Sequence, residues 1–327
     1  MRATVGLLVL LLLAAASQAA VRKSIPLGLD LYMPVPEENP LTPEKVALGR
    51  RIFFDRRLSR DRTIACASCH DPQRAFTDSR PVAVGIGRRL GARNVPTLIN
   101  RGYGKSQFLD GRAQSLEAQV LEPIVNPKEL GLTIDELVGR LGRASDYRER
   151  FRETFEREVN AQDLARALAS YVRTILSGHT SFDRYVNGER KALSERARQG
   201  LSLFRGKGNC TSCHVGPTLS DEQFHNTGIA WRDGTMRDEG RFAVSGQPVD
   251  QGAFKTPTLR EIARTAPYMH DGSVTTLEEV VDFYDAGGRP NPTIDPEIHP
   301  LHLLVEEKQA LVAFLKSLSG SIREGQP

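Results

Sequence analysis

The chain has 327 residues, 39% of them hydrophobic and 26% charged, enough apolar side chains for one large core or two smaller ones. That balance excludes an intrinsically disordered chain and a protein that crosses a membrane many times. The formal charge of +4, with both signs interspersed as in Arg148-Glu149-Arg150, argues against nucleic acid as a partner.

In chain order, residues 1–20 read as a secretory signal: Arg2, an apolar run over residues 5–16, and the small-residue close Ser17-Gln18-Ala19-Ala20. The run is too short for a ~30 Å hydrocarbon core, so we expect cleavage near Ala19 or Ala20, a periplasmic mature protein and no stable membrane insertion. A short helix with aliphatic and aromatic side chains is expected over residues 47–54. Thr133-Ile134-Asp135-Glu136 is a capping box that predicts a helix to about Arg143. Residues 161–176 carry Leu164, Leu168, Tyr171, Val172 and Ile175 at helical spacing. A further helix starts at Ser194, Thr276-Leu277-Glu278-Glu279 opens one that should end at Gly287-Gly288, and residues 306–318 make the last. No run of alternating strands appears, so the predicted fold class is all-α, with long Gly- and Pro-rich loops at residues 82–96 and 246–257.

All four cysteines lie in two CxxCH units, Cys66-Ala67-Ser68-Cys69-His70 and Cys210-Thr211-Ser212-Cys213-His214. This is the attachment signature of c-type haem, in which two thioethers fix the porphyrin and the adjacent histidine ligates the iron. A four-cysteine zinc site would need both pairs together, yet they are far apart and each runs directly into histidine. A thioredoxin-like redox pair would need a βαβ setting that neither unit has. The stretches preceding the two units resemble each other, which predicts two tandem cytochrome-c-like haem domains, residues 21–190 and 191–327, with the boundary at residues 188–193.

Between and after these units lie Gln107-Phe108-Leu109-Asp110-Gly111-Arg112-Ala113, Lys255-Thr256-Pro257-Thr258-Leu259-Arg260 and Ala266-Pro267-Tyr268-Met269-His270-Asp271-Gly272. In this order the motifs make the chain resemble the bacterial di-haem cytochrome c peroxidase and MauG family over almost all of its mature length. The resemblance implies that the N-terminal haem binds and cleaves hydrogen peroxide while the C-terminal haem stores and passes electrons. It implies His70 and His214 as the proximal ligands. Where many members carry a ligating histidine in the 82–96 loop this chain has Ile86, and the loop holds no histidine or methionine, so the first iron should be open to peroxide. Gln119 and Glu129 are then placed above that iron with Pro123 beside them. A carboxyl there can carry the proton that O–O cleavage requires from one oxygen to the other.

At the second haem the resemblance places Tyr284 opposite His214, in preference to Met269, with His270 as its orienter. A tyrosine oxygen favours ferric iron, whereas methionine raises the potential. The tryptophan that members often carry between the haems is Leu109 here, and the sole tryptophan, Trp231, is elsewhere. A calcium ion held by Asn94, Thr265 and Pro267 is also implied. The expected function is a periplasmic peroxidase drawing electrons from a small cytochrome c or cupredoxin. One alternative is a MauG-like enzyme oxidising tryptophan or tyrosine of a partner protein. The other, a non-catalytic electron-transfer cytochrome, is disfavoured because a carrier gains from six-coordinate iron at both haems.

Overall fold

The computed structural model describes residues 25–327; the expected signal segment lies outside them. Among the described residues, beside a small cluster of Leu29, Met33 and Leu176, two large hydrophobic cores organise the fold, one gathering side chains from Val46 to Ile175 and the other from Leu193 to Leu318. Each is built around a crossing of two helices that are distant in sequence. In the first, Pro43–Phe53 lies against Ala161–Arg173, and in the second Glu195–Arg205 lies against Val305–Lys316.

Local chemistry sets the ends of these helices. Thr42, Asn160 and Ser194 cap them by accepting from the backbone N–H of Lys45, Asp163 and Ala197. The capping boxes at Thr133 and Thr276 open Ile134–Gly142 and Leu277–Asp285, and the glycine pair Gly287-Gly288, both at positive φ, follows the second. The helix expected over 161–176 stops at Arg173, because Leu176–Gly178 pairs antiparallel with Ser321–Arg323. That ribbon and two others, Phe224–His225 with Phe254–Lys255 and Trp231–Arg232 with Thr235–Met236, qualify the all-α expectation: the fold is helix-rich with a few very short strands. They escape sequence reading because two or three residues are too few for an alternating pattern. Among the described residues no helix is long and apolar enough to cross a membrane.

Local geometry repeats between the halves. A Cβ on Gly49 would sit 1.9 Å from the Ala167 carbonyl oxygen and 3.0 Å from Tyr171 Cβ; on Gly200 it would sit 1.9 Å from the Ala310 oxygen and 2.8 Å from Phe314 Cβ. Thr97 Oγ1 donates to the Ala75 carbonyl at 2.6 Å, and Thr258 Oγ1 donates to that of Thr218 at 2.6 Å. Turns closed by Gln107 N–H to Ala113 O and Tyr268 N–H to Val274 O carry Gly111 at φ +68° and Gly272 at φ +63°, which favours glycine at both. The repeat also makes the junction between halves two-sided. Asn94 N–H donates to the His270 carbonyl at 2.7 Å, and Lys255 N–H, the counterpart of Asn94, donates to the carbonyl of Leu109, the counterpart of His270, at 2.8 Å.

The helix crossings predict a specific sensitivity. Gly49→Ala drives a methyl into backbone that cannot move aside, so it should cost about 1–3 kcal/mol. Gly49→Ala in chemical denaturation should lower the transition midpoint, whereas Gly188→Ala, at an open turn where φ is +104°, should cost only the smaller backbone strain.

Candidate active site and haem cavity

One cavity of about 980 Å³ runs between the halves and is lined by both CxxCH units. Its volume is at the upper end of the roughly 300–1,000 Å³ usual for small-molecule sites. Cys69, His70, Cys210, Cys213 and His214 line it, as do Gln119, Pro123, Glu129, Leu109, Tyr284, Met269, His270, Asn94, Thr265 and Pro267. Trp231 and Ile86 are not in its wall. Trp231 belongs to a hairpin, and the Ile86 side chain is buried against Gly131.

The two histidine settings match. His70 Nδ1 pairs with the Phe76 carbonyl at 3.0 Å and His214 Nδ1 with that of Leu219 at 2.9 Å, which fixes both rings and leaves Nε2 as the atom that could hold a metal ion. Burial pushes both imidazoles down, His70 to about 4, which favours the neutral form that metal coordination requires. All four cysteines are free, and burial pushes the thiols of Cys66, Cys69 and Cys210 up to about 12, 11 and 12. Neutral, half-buried thiols beside a wide cavity suit thioether bonds to a porphyrin better than thiolate coordination of a metal. A third grouping, Cys213 with Asp221 and His225, has metal-ligand residue types, but its sulfur belongs to the second haem unit. His225 is held there by Asp295 at 2.6 Å and Asp221 at 3.0 Å.

Above the first unit, Glu129 is fixed from several sides. Asn126 Nδ2 donates to Glu129 Oε1 at 2.7 Å, while Asn126 Oδ1 accepts from Lys128 N–H at 3.0 Å, which settles the orientation of the amide. Ile86 N–H donates to the Glu129 carbonyl at 2.9 Å, so Ile86 braces this turn instead of entering the cavity, which the same loop reaches through Asn94 and its neighbours. Burial pushes the Glu129 carboxyl above its ordinary range, against the Asn126 hydrogen bond and the Arg112 charge, while Glu122 adds to the rise. Gln119 ends the short helix Leu116–Gln119, and Pro123 lies in the next, Glu122–Val125.

The repeat relates the two far walls. The capped helices starting at Leu116 and Leu277 follow equivalent turns, and counting along both brings Pro123 into register with Tyr284. Where one half offers a ring without a donor atom, the other offers a phenol. Tyr284 is half-buried near Cys210 and Cys213, and desolvation, with those two sulfurs, pushes its hydroxyl above the ordinary range. Met269 reaches the same cavity from a left-handed turn position, φ +70°.

Sequence reading missed the residues that join the halves. Arg93 pairs with Asp110 at 2.6 Å and Asp238 at 2.7 Å, and its guanidinium lies 5.3 Å from the Phe254 ring. Phe254 stacks on His270 at 3.9 Å with 13° between planes. Lys255 Nζ donates to the Ser106 carbonyl at 2.5 Å and lies 3.5 Å from Glu222, which Arg101 grips at 2.8 Å. Burial pushes Lys255 down to about 7. The only available signal was position, since Arg93 and Phe254 flank the two similar stretches beginning at Asn94 and Lys255.

A family model described as di-haem cytochrome c peroxidase matches residues 43–191. The methylamine utilization protein MauG of Methylorubrum extorquens is 40% identical over 288 residues, covering 88% of this chain and 81% of that protein. A cytochrome-c peroxidase of Denitromonas iodatirespirans is 36% identical over 336 residues, covering 94% and 89%. A solved MauG-like protein associated with microbial copper homeostasis superposes with a TM-score of 0.83 at 35% identity, covering 89% of this chain and 95% of that one.

The Asn126 contact predicts a change readable without turnover. Asn126→Leu removes the donor that favours the Glu129 carboxylate, so the protonated-carboxyl infrared band assigned to Glu129 should persist to higher pH than in the wild type.

Proposed function

The chain belongs to the di-haem cytochrome c peroxidase and MauG family, whose members are oxidoreductases, and from that premise we propose a periplasmic peroxidase that reduces hydrogen peroxide at its N-terminal half. Electrons enter at the C-terminal half from a small cytochrome c or cupredoxin, and the halves divide at residues 188–193. The observation that carries this reading is the asymmetry of the two far walls, Pro123 against Tyr284, together with an 82–96 loop that contributes no ligand.

When bound, the two c-type haems supply iron that receives peroxide in one half and holds electrons in the other. Cys66 and Cys69 would anchor the first through thioethers and His70 would ligate it; Cys210, Cys213 and His214 would do the same for the second, with Tyr284 as its far ligand and His270 orienting it. Glu129, with Oε1 occupied by Asn126, takes and returns a proton at Oε2, moving it between the two peroxide oxygens. Gln119 offers an amide to the bound substrate, and Pro123 keeps the far wall free of competing donors. The Phe254–His270 stack supplies aromatic rings on the C-terminal side of the junction, where Leu109 provides none from the N-terminal side, and Arg93 of the N-terminal half lies 5.3 Å from the Phe254 ring.

Calcium remains part of the reading. The Asn94 amide nitrogen donates to the Arg80 carbonyl at 2.7 Å, which leaves its oxygen for a hard cation together with oxygens of Thr265 and Pro267. A second function, MauG-like oxidation of tryptophan or tyrosine in a partner protein, is favoured by one observation: a tyrosine rather than a methionine at the second far wall.

The reading is tested by mixing the as-isolated ferric protein with peroxide. The Soret band should change at once, and a need for prior half-reduction would overturn it. Glu129→Gln should keep both haems and react at least ~10²-fold more slowly. Because Glu129 must be ionised to accept a proton, the wild-type rate should rise with pH through its raised pKa, and that rise should vanish in the variant.

Tyr284→Met should raise the potential of the second haem, because a thioether stabilises ferrous iron more than a phenolate does. Met269→Leu should leave the ligand spectrum unchanged, with a packing cost below ~1.5 kcal/mol. The reverse pattern in potentiometry and absorption would reassign the ligand to Met269.

A further inference from the structure

Tyr171 is a buried titratable group that the proposed reaction does not use. It is fully buried, and among the described residues its hydroxyl faces the Glu324 carboxylate without closing a well-formed hydrogen bond to any group. Packing does not explain the hydroxyl. Phe53 meets Tyr171 with ring centroids 5.0 Å apart and 57° between planes; in the other half Phe204 meets Phe314 at 5.0 Å and 58°. Phenylalanine therefore fills the equivalent slot, and an unbonded buried hydroxyl costs folding free energy that phenylalanine would not.

The surroundings connect Tyr171 to the first haem unit and to the surface. The Phe76 carbonyl holds His70, the Phe76 ring lies 6.4 Å from Phe53, and Tyr171 lies 6.4 Å from Phe54, which is 38% exposed. Beside the phenol, the C-terminal segment places Glu324, paired with Arg50 at 3.0 Å and anchored next door by Gly325 N–H to Thr174 Oγ1 at 2.9 Å. Burial, then Glu324, raises the phenol above its ordinary range, so it rests protonated. The corresponding chain in the C-terminal half, Phe204, Phe314 and Phe182, contains no side chain that gives up an electron readily.

We propose that Tyr171 is a redox-active outlet of the N-terminal half, supplying an electron to peroxide reduction when no reduced partner protein is docked. The inference rests on the peroxidase reading. Reduction of hydrogen peroxide to two waters takes two electrons and two protons. The Tyr171 O–H bond breaks, its electron passes through Phe53 and Phe76 to the haem, and its proton goes to the Glu324 carboxylate. The other electron would come from haem iron, which the donor protein restores through the C-terminal half, and the two protons consumed would enter from solvent by way of Glu129. The neutral phenoxyl left behind is restored by one electron from a reduced donor protein, reached through Phe54, and by the proton returned from Glu324.

The test is freeze-quench electron paramagnetic resonance of the holoenzyme after one equivalent of peroxide without donor, in protein carrying ring-deuterated tyrosine. The wild type should give a tyrosyl radical, narrowed by deuteration. Tyr171→Phe, which copies the packing of the other half, should keep both haems and the Soret response to peroxide but lose most of that signal. Glu324→Gln should also weaken it. Peptide mapping of peroxide-treated wild type should find oxidation or cross-linking at Tyr171. An undiminished radical in Tyr171→Phe, or no tyrosyl radical in a wild type whose Soret band does respond, overturns the outlet and leaves the peroxidase reading intact. A wild-type Soret band that ignores peroxide overturns both.

Discussion

Two backbone hydrogen bonds at the junction, Asn94 N–H to His270 O and Lys255 N–H to Leu109 O, hold the architecture in register. They join equivalent positions of a repeated segment in a reciprocal way, the geometry of an isologous dimer contact realised within one chain. Each half presents the same strip, a Pro-Thr-Leu stretch followed by a tight turn, and each strip bonds to the turn of the other. Because both CxxCH units line one cavity along this junction, the relation between the haem sites is set by backbone rather than by mobile side chains. Side-chain pairs such as Arg93 with Asp110 and Asp238 reinforce it from positions that are largely buried, where ion pairs are screened least.

Reciprocity at the junction allows asymmetry elsewhere. Once the backbone frame is shared, single substitutions differentiate the halves without altering the scaffold. Pro123 against Tyr284 decides whether a far wall offers an oxygen, Leu109 against His270 decides which half places a polar ring at the interface, and Tyr171 against Phe314 decides which helix crossing contains a phenol. Each contrast changes chemistry in one half while the surrounding turns and caps stay alike.

Much of this was legible in the sequence because the informative signals are local. Caps at Thr133, Ser194 and Thr276 fix helix starts within a few residues, and CxxCH places two thiols and an imidazole in one turn whatever surrounds it. The Glu129 site was reachable only through resemblance, since nothing in Asn126-Pro127-Lys128-Glu129 distinguishes a cavity carboxyl from a solvated one; its setting comes from the Ile86 and Asn126 contacts. The short ribbons and the Arg93–Asp238 pairing were illegible for a related reason. They join residues far apart in the chain, where neither periodicity nor spacing carries information.

A glycine at Gly49 or Gly200 allows backbone to approach backbone, so the aromatic residue one helical turn beyond the contacted carbonyl, Tyr171 or Phe314, is forced against the phenylalanine four residues after the glycine. The packing that stabilises each half therefore also builds a line of closely spaced rings running away from the histidine of its haem unit. In the C-terminal half that line is hydrocarbon throughout and serves as core. In the N-terminal half the same geometry includes a phenol with a carboxylate beside it and ends at the half-exposed Phe54, so a structural necessity of the fold becomes a route for charge where strong oxidant would be generated.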